Sequence, residues 1–284
     1  MMLSRSLVGI VALILSLPLA QRQPPPAAAQ STAVAGESEL RFEERSPMSA
    51  PAELQKRFRW PSMPDNARYE LSEESFQIYL PEGFKPTTSY SLLVWISPTT
   101  SGSPPQAWRE VFDRHGIIWV SANNSGNGRV VSIRVGLALD AAFNVPALYS
   151  VDETHIWLAG LSGGGRTASK LAILYPEVFD GALYIVGSDY FSDLPVTGRK
   201  GMFMRSRFLP PPTQFLDIAK KNNRYVFLTG DKDFNHDPVR TVYDGYRRDG
   251  FRHTTFLNVP EMGHTYPPAE WFEKGIEALE GKEG

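Results

Sequence analysis

Hydrophobic and polar positions along the chain form short runs of two kinds. Residues 75–80 alternate between polar and apolar and stop before Pro81, which predicts an early antiparallel strand. Residues 92–96 form a continuous apolar run, which is typical of a strand buried on both faces of a sheet. Further strands are predicted at 117–121, 155–159, 182–186, 225–228 and 254–259.

Helical segments are predicted between these strands. They lie at about 105–114, in the stretch that ends near 149, and at 167–175, 238–248 and 268–279. Strands that alternate with helices indicate right-handed βαβ units. The fold class is therefore α/β, with a mostly parallel sheet flanked by helices. Functional residues in such sheets lie beyond the carboxyl ends of the strands.

The first 29 residues have the pattern of a secretory signal peptide. Arg5 precedes an apolar run from Leu7 to Leu19, which is shorter than the roughly 20 residues that span a membrane. Small residues offer cleavage sites after Ala20 or Ala29. We therefore expect a secreted or periplasmic protein with no stable membrane association after cleavage. An uncleaved membrane anchor is the alternative.

Residues 30–67 are predicted to be a proline-rich linker. Seven of the 23 prolines lie between residues 21 and 66, and proline at this density disfavours helices and strands. A short helix at 52–58 is the one regular element expected there. The pattern changes at residue 68, so the folded domain is predicted to span 68–284.

The composition narrows the function classes. The 284 residues are 42% hydrophobic and 21% charged, with a formal net charge of −2. This is a globular composition without the basic surface of a nucleic-acid-binding protein, so no nucleic-acid partner is expected. The chain has no cysteine, which excludes disulfides, thiolate metal sites and a cysteine nucleophile.

A glycine-rich segment at 160–165 (GLSGGG) joins the strand predicted at 155–159 to a helix. It matches the G-x-S-x-G pattern in a strand–turn–helix context, which raises a serine hydroxyl above the sheet. Gly160 and Gly164 suit the close approach of strand and helix. A phosphate-binding turn is the alternative, but the segment lacks the lysine of a P-loop and the spacing of a dinucleotide loop. Ser162 is therefore the candidate nucleophile.

A serine hydroxyl needs a general base, and the chain has five histidines. His115, His155 and His253 stand at or before the amino ends of predicted strands, the wrong edge of the sheet. His236 follows the strand at 225–228, where an acid is expected. His264 follows the last strand by a short loop, and this position makes it the candidate base.

A carboxylate is expected to orient that histidine. Asp233 follows the strand at 225–228 with room to turn towards the base, and it is the favoured acid. Asp231 is the first alternative, and Asp189 or Asp193 the next.

Four polar residues near the candidate acid resemble the first half of a calcium loop: Asp231, Asp233, Asn235 and Asp237. The sixth position of such a loop requires glycine and is His236 here. The twelfth requires glutamate and is Val242. We therefore predict no metal site.

Acyl transfer from an ester or amide also needs two donors for the oxyanion that forms. The backbone N–H of Gly163, directly after the serine, is the first candidate. The second is expected in the loop at 97–102, after the strand at 92–96. Pro98 has no N–H, and Thr99 is the favoured donor.

Together these residues resemble the α/β-hydrolase superfamily over residues 68–284. The segment at 160–181, GLSGGGRTASKLAILYPEVFDG, resembles the elbow region of secreted esterases of the polyhydroxybutyrate-depolymerase-like and feruloyl or acetylxylan esterase-like group. The resemblance implies an eight-stranded sheet and hydrolysis of a carboxyl ester without metal or cofactor. By position it makes Ser162 the nucleophile, Asp233 the acid and His264 the base.

The resemblance has one departure. Relatives usually carry His-Gly where this chain has Ser97-Pro98. The function expected is a secreted serine ester hydrolase acting through an acyl-enzyme on a small-molecule or polymeric ester. The alternatives are a serine peptidase of the same fold and a catalytically silent scaffold used for binding.

The segment at 187–224 is expected to lack long regular structure, because its glycines and prolines interrupt it. It is predicted either to cover the site or to form a plain surface insertion. Four aromatic residues are candidates for lining a cleft: Trp108, Tyr190, Phe191 and Tyr266.

Overall fold

A computed structural model of the chain describes residues 34–63, 67–196 and 199–282. The predicted signal peptide, residues 1–29, lies outside the described residues. The strands are β1 (Gly36–Leu40), β2 (Phe76–Leu80), β3 (Tyr90–Ile96), β4 (Ile117–Ala122), β5 (Val151–Leu161), β6 (Gly181–Ile185), β7 (Leu194–Pro195), β8 (Phe203–Met204), β9 (Arg224–Gly230) and β10 (His253–Val259). The helices are α1 (Pro51–Phe58), α2 (Arg109–His115), α3 (Val131–Leu148), α4 (Gly163–Leu174), α5 (Thr213–Lys221), α6 (His236–Arg248) and α7 (Ala269–Glu280).

Eight of the strands form one sheet in the order β1-β2-β4-β3-β5-β6-β9-β10. The pairs β1–β2 and β2–β4 are antiparallel, and the other pairs are parallel. The predicted mostly parallel, eight-stranded sheet is thus confirmed. Because β3, β5, β6, β9 and β10 run in the same direction, the loops that follow them meet at one edge.

The central strands are buried on both faces, as their continuous apolar runs predicted. On β3, Leu92 and Val94 belong to the core on one side of the sheet, and Leu93 and Trp95 to the core on the other. Helix α3 packs in the first core, and its 18 residues are mostly buried. Although α3 is long and apolar enough to cross a membrane, this burial is that of a core helix.

The predicted linker is wrong for the described residues 34–63, which belong to the folded domain. Strand β1 pairs along the whole length of β2 and adds an edge to the main sheet. Phe42 packs against Phe76 of β2, with the ring centroids 4.5 Å apart. The short helix predicted at 52–58 is confirmed as α1, and it buries Leu54 and Phe58 in the core.

The prolines of this region explain the error. Pro47 begins a short 3₁₀ helix and Pro51 begins α1. At these first helical positions the missing N–H of proline costs no hydrogen bond. Strand β1 has no apolar alternation that could have predicted it, because Glu37, Ser38 and Glu39 face solvent on this edge strand.

A buried carboxylate in α3 anchors the same region. Asp140 accepts hydrogen bonds from the N–H of Ser46 at 2.8 Å, the hydroxyl of Ser49 at 2.5 Å and the hydroxyl of Tyr69 at 2.5 Å. Burial raises the pKa of Asp140, and these three donors oppose the rise. The bonds tie residues far apart in sequence to the central helix.

The segment at 187–224 contains a two-stranded antiparallel ribbon, β7–β8, and helix α5. Helix α5 packs on α4, and Leu194 of β7 contacts Gly245 of α6. An ion pair of 3.5 Å joins Arg199 to Asp237 in the first turn of α6. The segment is therefore packed against two helices on one side of the sheet.

Candidate active site

Ser162 lies in the sharp turn between β5 and α4. Its backbone has φ 56° and ψ −117°, a strained combination for a residue with a side chain. The turn also requires glycine at both flanking positions. A Cβ on Gly160 would lie 2.5 Å from the carbonyl carbon of Gly164, and a Cβ on Gly164 would lie 1.9 Å from the oxygen of Ile96. This tight turn places Ser162 at the carboxyl end of β5.

Three side chains singled out in the sequence lie in one hydrogen-bonded row. Nε2 of His264 is 2.8 Å from Oγ of Ser162, and Nδ1 of the same ring is 2.8 Å from Oδ1 of Asp233. Asp233 stands in the loop after β9, and His264 in the loop after β10. When Nδ1–H donates to the carboxylate, Nε2 is free to accept the serine proton. The arrangement can therefore act as a nucleophile, a base and an orienting acid.

The carboxylate of Asp233 is buried and has two further donors. The Thr229 hydroxyl donates to Oδ2 at 2.9 Å, and the N–H of Asn235 donates to Oδ1 at 3.1 Å. These bonds fix both oxygens relative to the imidazole. Asp231, the first alternative acid, is exposed and lies outside this network.

The other two candidate acids have different partners. Asp189 forms ion pairs with Arg166 and Lys170 of α4. Asp193 pairs with Arg205 in the β7–β8 ribbon. Neither contacts the imidazole of His264.

The remaining histidines contact other groups in the described part of the chain. His115 lies between Glu273 and Glu280 of α7. His155 lies 2.8 Å from a carboxylate oxygen of Asp152, in the first residues of β5. His236 begins α6, and His253 begins β10.

The two backbone donors proposed for the oxyanion differ in availability. Gly163 is the first residue of α4, where an N–H has no acceptor within the helix. The N–H of Thr99 instead donates to Oγ of Ser97 at 3.1 Å. Ser97 is only 1% exposed, so this bond turns the Thr99 N–H towards the interior. The N–H of Thr99, which the sequence favoured as the second oxyanion donor, is therefore already bound within the loop after β3.

Arg134 of α3 is a site residue that the sequence analysis did not single out. Its guanidinium donates to the carbonyl oxygens of Ser97 at 2.9 Å, Ser125 at 2.8 Å and Gly163 at 3.3 Å. It also donates to the Thr167 hydroxyl at 3.1 Å. One side chain therefore joins the loops after β3 and β4 to the serine turn. A single arginine within the apolar run of α3 was the available signal.

Arg134 is buried, and no carboxylate pairs with it in the described part of the chain. Burial lowers the pKa of Arg134 to about 10, because the charged form loses hydration. The guanidinium still carries its proton at neutral pH. It therefore places a positive charge next to the turn that holds Ser162, where it binds the carbonyl oxygen of Gly163.

A second polar network joins α4 to the acid loop. The guanidinium of Arg166 donates to Oδ1 of Asn235 at 3.3 Å and to Asp189 at 3.0 Å. Nδ2 of Asn235 donates to the carbonyl oxygen of Val186 at 2.9 Å. These contacts hold the loop that carries Asp233 against the helix that follows Ser162.

One aromatic side chain stacks on the imidazole, and the four aromatic residues predicted to line a cleft differ in burial. Phe234 is 74% exposed and stacks on the ring of His264, with the centroids 4.2 Å apart. Tyr266, a candidate cleft residue, is partly exposed and packs against Trp108, with the ring centroids 5.5 Å apart. The prediction of a cleft position is wrong for Trp108 and Tyr190, which are fully buried in the two cores. Phe191, a further candidate, is half-buried and packs against Tyr190.

No protein-family model and no curated protein matches the chain. It is similar to the solved structure of a fluorophosphonate-binding serine hydrolase F from Staphylococcus aureus, with 15% identity and a TM-score of 0.58 over 87% of this chain and 99% of that one. It is also similar to an S-formylglutathione hydrolase from Staphylococcus aureus, with 14% identity and a TM-score of 0.56 over 88% and 98% of the two chains.

Two further likenesses bear on the alternatives. A poly(3-hydroxybutyrate) depolymerase from Bordetella parapertussis matches at 15% identity and a TM-score of 0.50, over 74% of this chain and 85% of that one. A Bacteroides ovatus protein described as a dipeptidyl aminopeptidase IV matches at 15% identity and a TM-score of 0.53, but only 34% of its length is covered. These likenesses show that the chain has the α/β-hydrolase fold.

Proposed function

We propose that the protein is a secreted serine hydrolase that cleaves carboxyl esters. One observation carries the proposal: the hydrogen-bonded row of Ser162, His264 and Asp233 at the carboxyl edge of the sheet. Hydrolases with a Ser-His-Asp triad use this arrangement of nucleophile, base and acid. Esterases and serine hydrolases are frequent among the proteins that share the fold.

In the first half of the proposed reaction, Nε2 of His264 accepts the hydroxyl proton of Ser162 while Oγ attacks the ester carbonyl carbon. The C=O π electron pair moves onto oxygen, and the N–H of Gly163 binds the oxyanion. Collapse of this intermediate breaks the bond to the leaving alcohol, whose oxygen takes the proton from His264. The acyl group remains on Ser162, and Asp233 stabilises the transient imidazolium.

In the second half, water takes the place of the alcohol. His264 accepts a proton from the water as its oxygen attacks the acyl carbon. The second oxyanion collapses, the bond to Oγ breaks, and the proton on His264 returns to Ser162. The products are a carboxylic acid and the restored enzyme.

The first experiment tests the nucleophile with a fluorophosphonate probe. Wild-type protein is expected to be labelled at Ser162, and the Ser162→Ala variant to lose all labelling. Circular dichroism and the thermal unfolding midpoint provide the control for folding. A folded wild-type protein that takes no label would contradict the proposal and favour the silent scaffold.

A second experiment separates esters from amides. p-Nitrophenyl esters of increasing acyl length, a suspension of poly(3-hydroxybutyrate) and aminoacyl anilides are offered to the same preparation. Turnover of esters without anilides is expected, because an alkoxide is expelled more readily than an amine. Faster turnover of the anilides would show that the peptidase alternative is correct.

Secretion is the remaining part of the proposal and rests on the sequence pattern of residues 1–29 alone. Expression of the full chain with fractionation of cells and medium tests it. The exported protein is expected to begin at Gln21 or Gln30. Intact protein that begins at Met1 and remains in the cytoplasm would contradict export.

A further inference from the structure

The loop after β3 offers few free donors to an oxyanion. Pro98 has no N–H, and the Thr99 N–H is bound to Ser97. The N–H of Ser101 donates to the Thr99 hydroxyl at 3.3 Å, and that of Gly102 donates to Asn123 at 3.0 Å. The element that commonly supplies the second donor in this fold is therefore largely occupied by its own contacts.

The side chain of Asn127, in the loop after β4, lies directly against Gly163. A Cβ at position 163 would be 2.2 Å from Oδ1 and 2.9 Å from Nδ2 of Asn127. A larger residue at 163 would have to displace this carboxamide from its place beside the residue that follows the nucleophile. The side chain is exposed, and it forms no hydrogen bond with another group in the described part of the chain. Its amide group is therefore available to a ligand at this point.

The loop after β3 also holds Asn127 in place. The N–H of Asn127 donates to the carbonyl oxygen of Pro98 at 3.0 Å. Gly126 is so close to Thr99 that a Cβ there would lie 2.7 Å from the Thr99 carbonyl carbon. Arg134 binds Ser125 from below. These contacts fix the position of the Asn127 backbone, from which the carboxamide extends.

We propose that the carboxamide of Asn127 is the second oxyanion donor of this site. As the bond from Ser162 to the carbonyl carbon forms, the C=O π electron pair moves onto oxygen. The Nδ2–H of Asn127 donates to that oxygen alongside the N–H of Gly163, with no proton transferred. A turn of the carboxamide exchanges Nδ2 and Oδ1 in the same space, so the donor can face the oxygen. The inference rests on the proposed ester hydrolysis.

The test compares Asn127→Ala with wild type on a p-nitrophenyl ester. A lost oxyanion donor lowers kcat by about 10²- to 10³-fold and leaves KM nearly unchanged, since the donor acts on the transition state. The matched control is Asn222→Ala, which removes an exposed asparagine at the end of α5 and is expected to keep wild-type kcat. Thermal unfolding midpoints check that both variants fold.

Asn127→Asp is the second variant, because it keeps the shape of the side chain and removes both N–H donors. Its kcat is expected to fall at least as far as that of Asn127→Ala. If both variants keep kcat within about three-fold of an active wild type, the inference is overturned while the ester hydrolase stands. A wild type that neither takes a fluorophosphonate label nor hydrolyses esters would overturn both.

Discussion

The two sides of Ser162 are built in different ways. On the acid–base side, each functional group lies in the loop or turn that follows a strand, and His264 forms one short hydrogen bond with Asp233 and one with Ser162. On the oxyanion side, the loops after β3 and β4 are joined to each other and to α4 by Arg134. The first side is held by side chains that also perform the proposed chemistry. The second is held by a buried cation, Arg134, which has no part in the proposed chemistry.

The two sides therefore differ in how much their residues can vary. The acid–base row leaves no freedom, because each of its three members needs the other two. The oxyanion side needs only a donor at the right place, and different loops can supply one. In this chain Pro98 has no N–H, the side chain of Ser97 binds the N–H of Thr99, and the side chain of Asn127 lies against Gly163.

The largest loss of activity is expected from a substitution on the acid–base side. Asp233→Asn should lower kcat by about 10⁴-fold, because the amide no longer stabilises the imidazolium or fixes its tautomer. The matched control is Asp231→Asn, an exposed carboxylate two residues earlier, which should keep activity near wild type. Steady-state rates on an ester measure both. A larger loss of kcat in Asp231→Asn than in Asp233→Asn would mean that the acid has been assigned to the wrong aspartate.

The next prediction concerns Arg134, which supports the oxyanion side. Arg134→Met should lower the free energy of unfolding by about 3 kcal/mol or more, because the carbonyl oxygens of Ser97, Ser125 and Gly163 lose their donor. The control is Arg205→Met, whose side chain is 78% exposed and whose loss should change stability little. Urea unfolding followed by circular dichroism gives both values. A stable Arg134→Met protein would show that the three loops hold together without it.

A smaller loss of activity is expected from a substitution at Gly163 on the oxyanion side. Gly163→Ala should push the carboxamide of Asn127 aside, since the new methyl group would lie 2.2 Å from Oδ1. We expect kcat to fall by about 10- to 100-fold with little loss of stability, because an exposed side chain moves easily. Gly128→Ala is the control, as nothing lies within 4 Å of its added Cβ. Unchanged activity in Gly163→Ala would show that the position of the Asn127 carboxamide beside residue 163 does not affect kcat.

The smallest effect concerns the exposed ring over the imidazole. Phe234→Ala should lower kcat about two- to five-fold, because a stacked aromatic ring favours the imidazolium formed in each step. The control is Phe203→Ala, which removes an exposed phenylalanine from β8. Rates on a short-chain ester are the measurement, so that lost contacts with a long acyl chain do not contribute. A faster variant would indicate that Phe234 obstructs the site.

Much of the fold could be predicted because the main strands are apolar on both faces. Each such strand was predicted within a few residues, and the helices between them were predicted as well, except α5, which lies in the segment expected to lack long regular structure. The errors in the predicted elements lie where the polarity of the side chains does not indicate whether the backbone is part of the fold. Strand β1 is polar and stands at an edge, and α4 begins at Gly163 rather than 167 because its first turn is glycine. Proline density suggested a linker where the prolines begin short helices.

The main strands and the order of the serine, the acid and the histidine could be read from the sequence. They depend on local patterns and on the rule that sites follow the carboxyl ends of parallel strands. Only the tertiary structure showed that Asp233, which the sequence favoured, is hydrogen-bonded to His264 while Asp231 is exposed, since both follow the same strand. It alone placed Arg134 and Asn127 beside Ser162. The contacts of Arg134 with Gly163 and Ser97 join residues 29 and 37 positions apart in the chain, and no local pattern encodes such a distance.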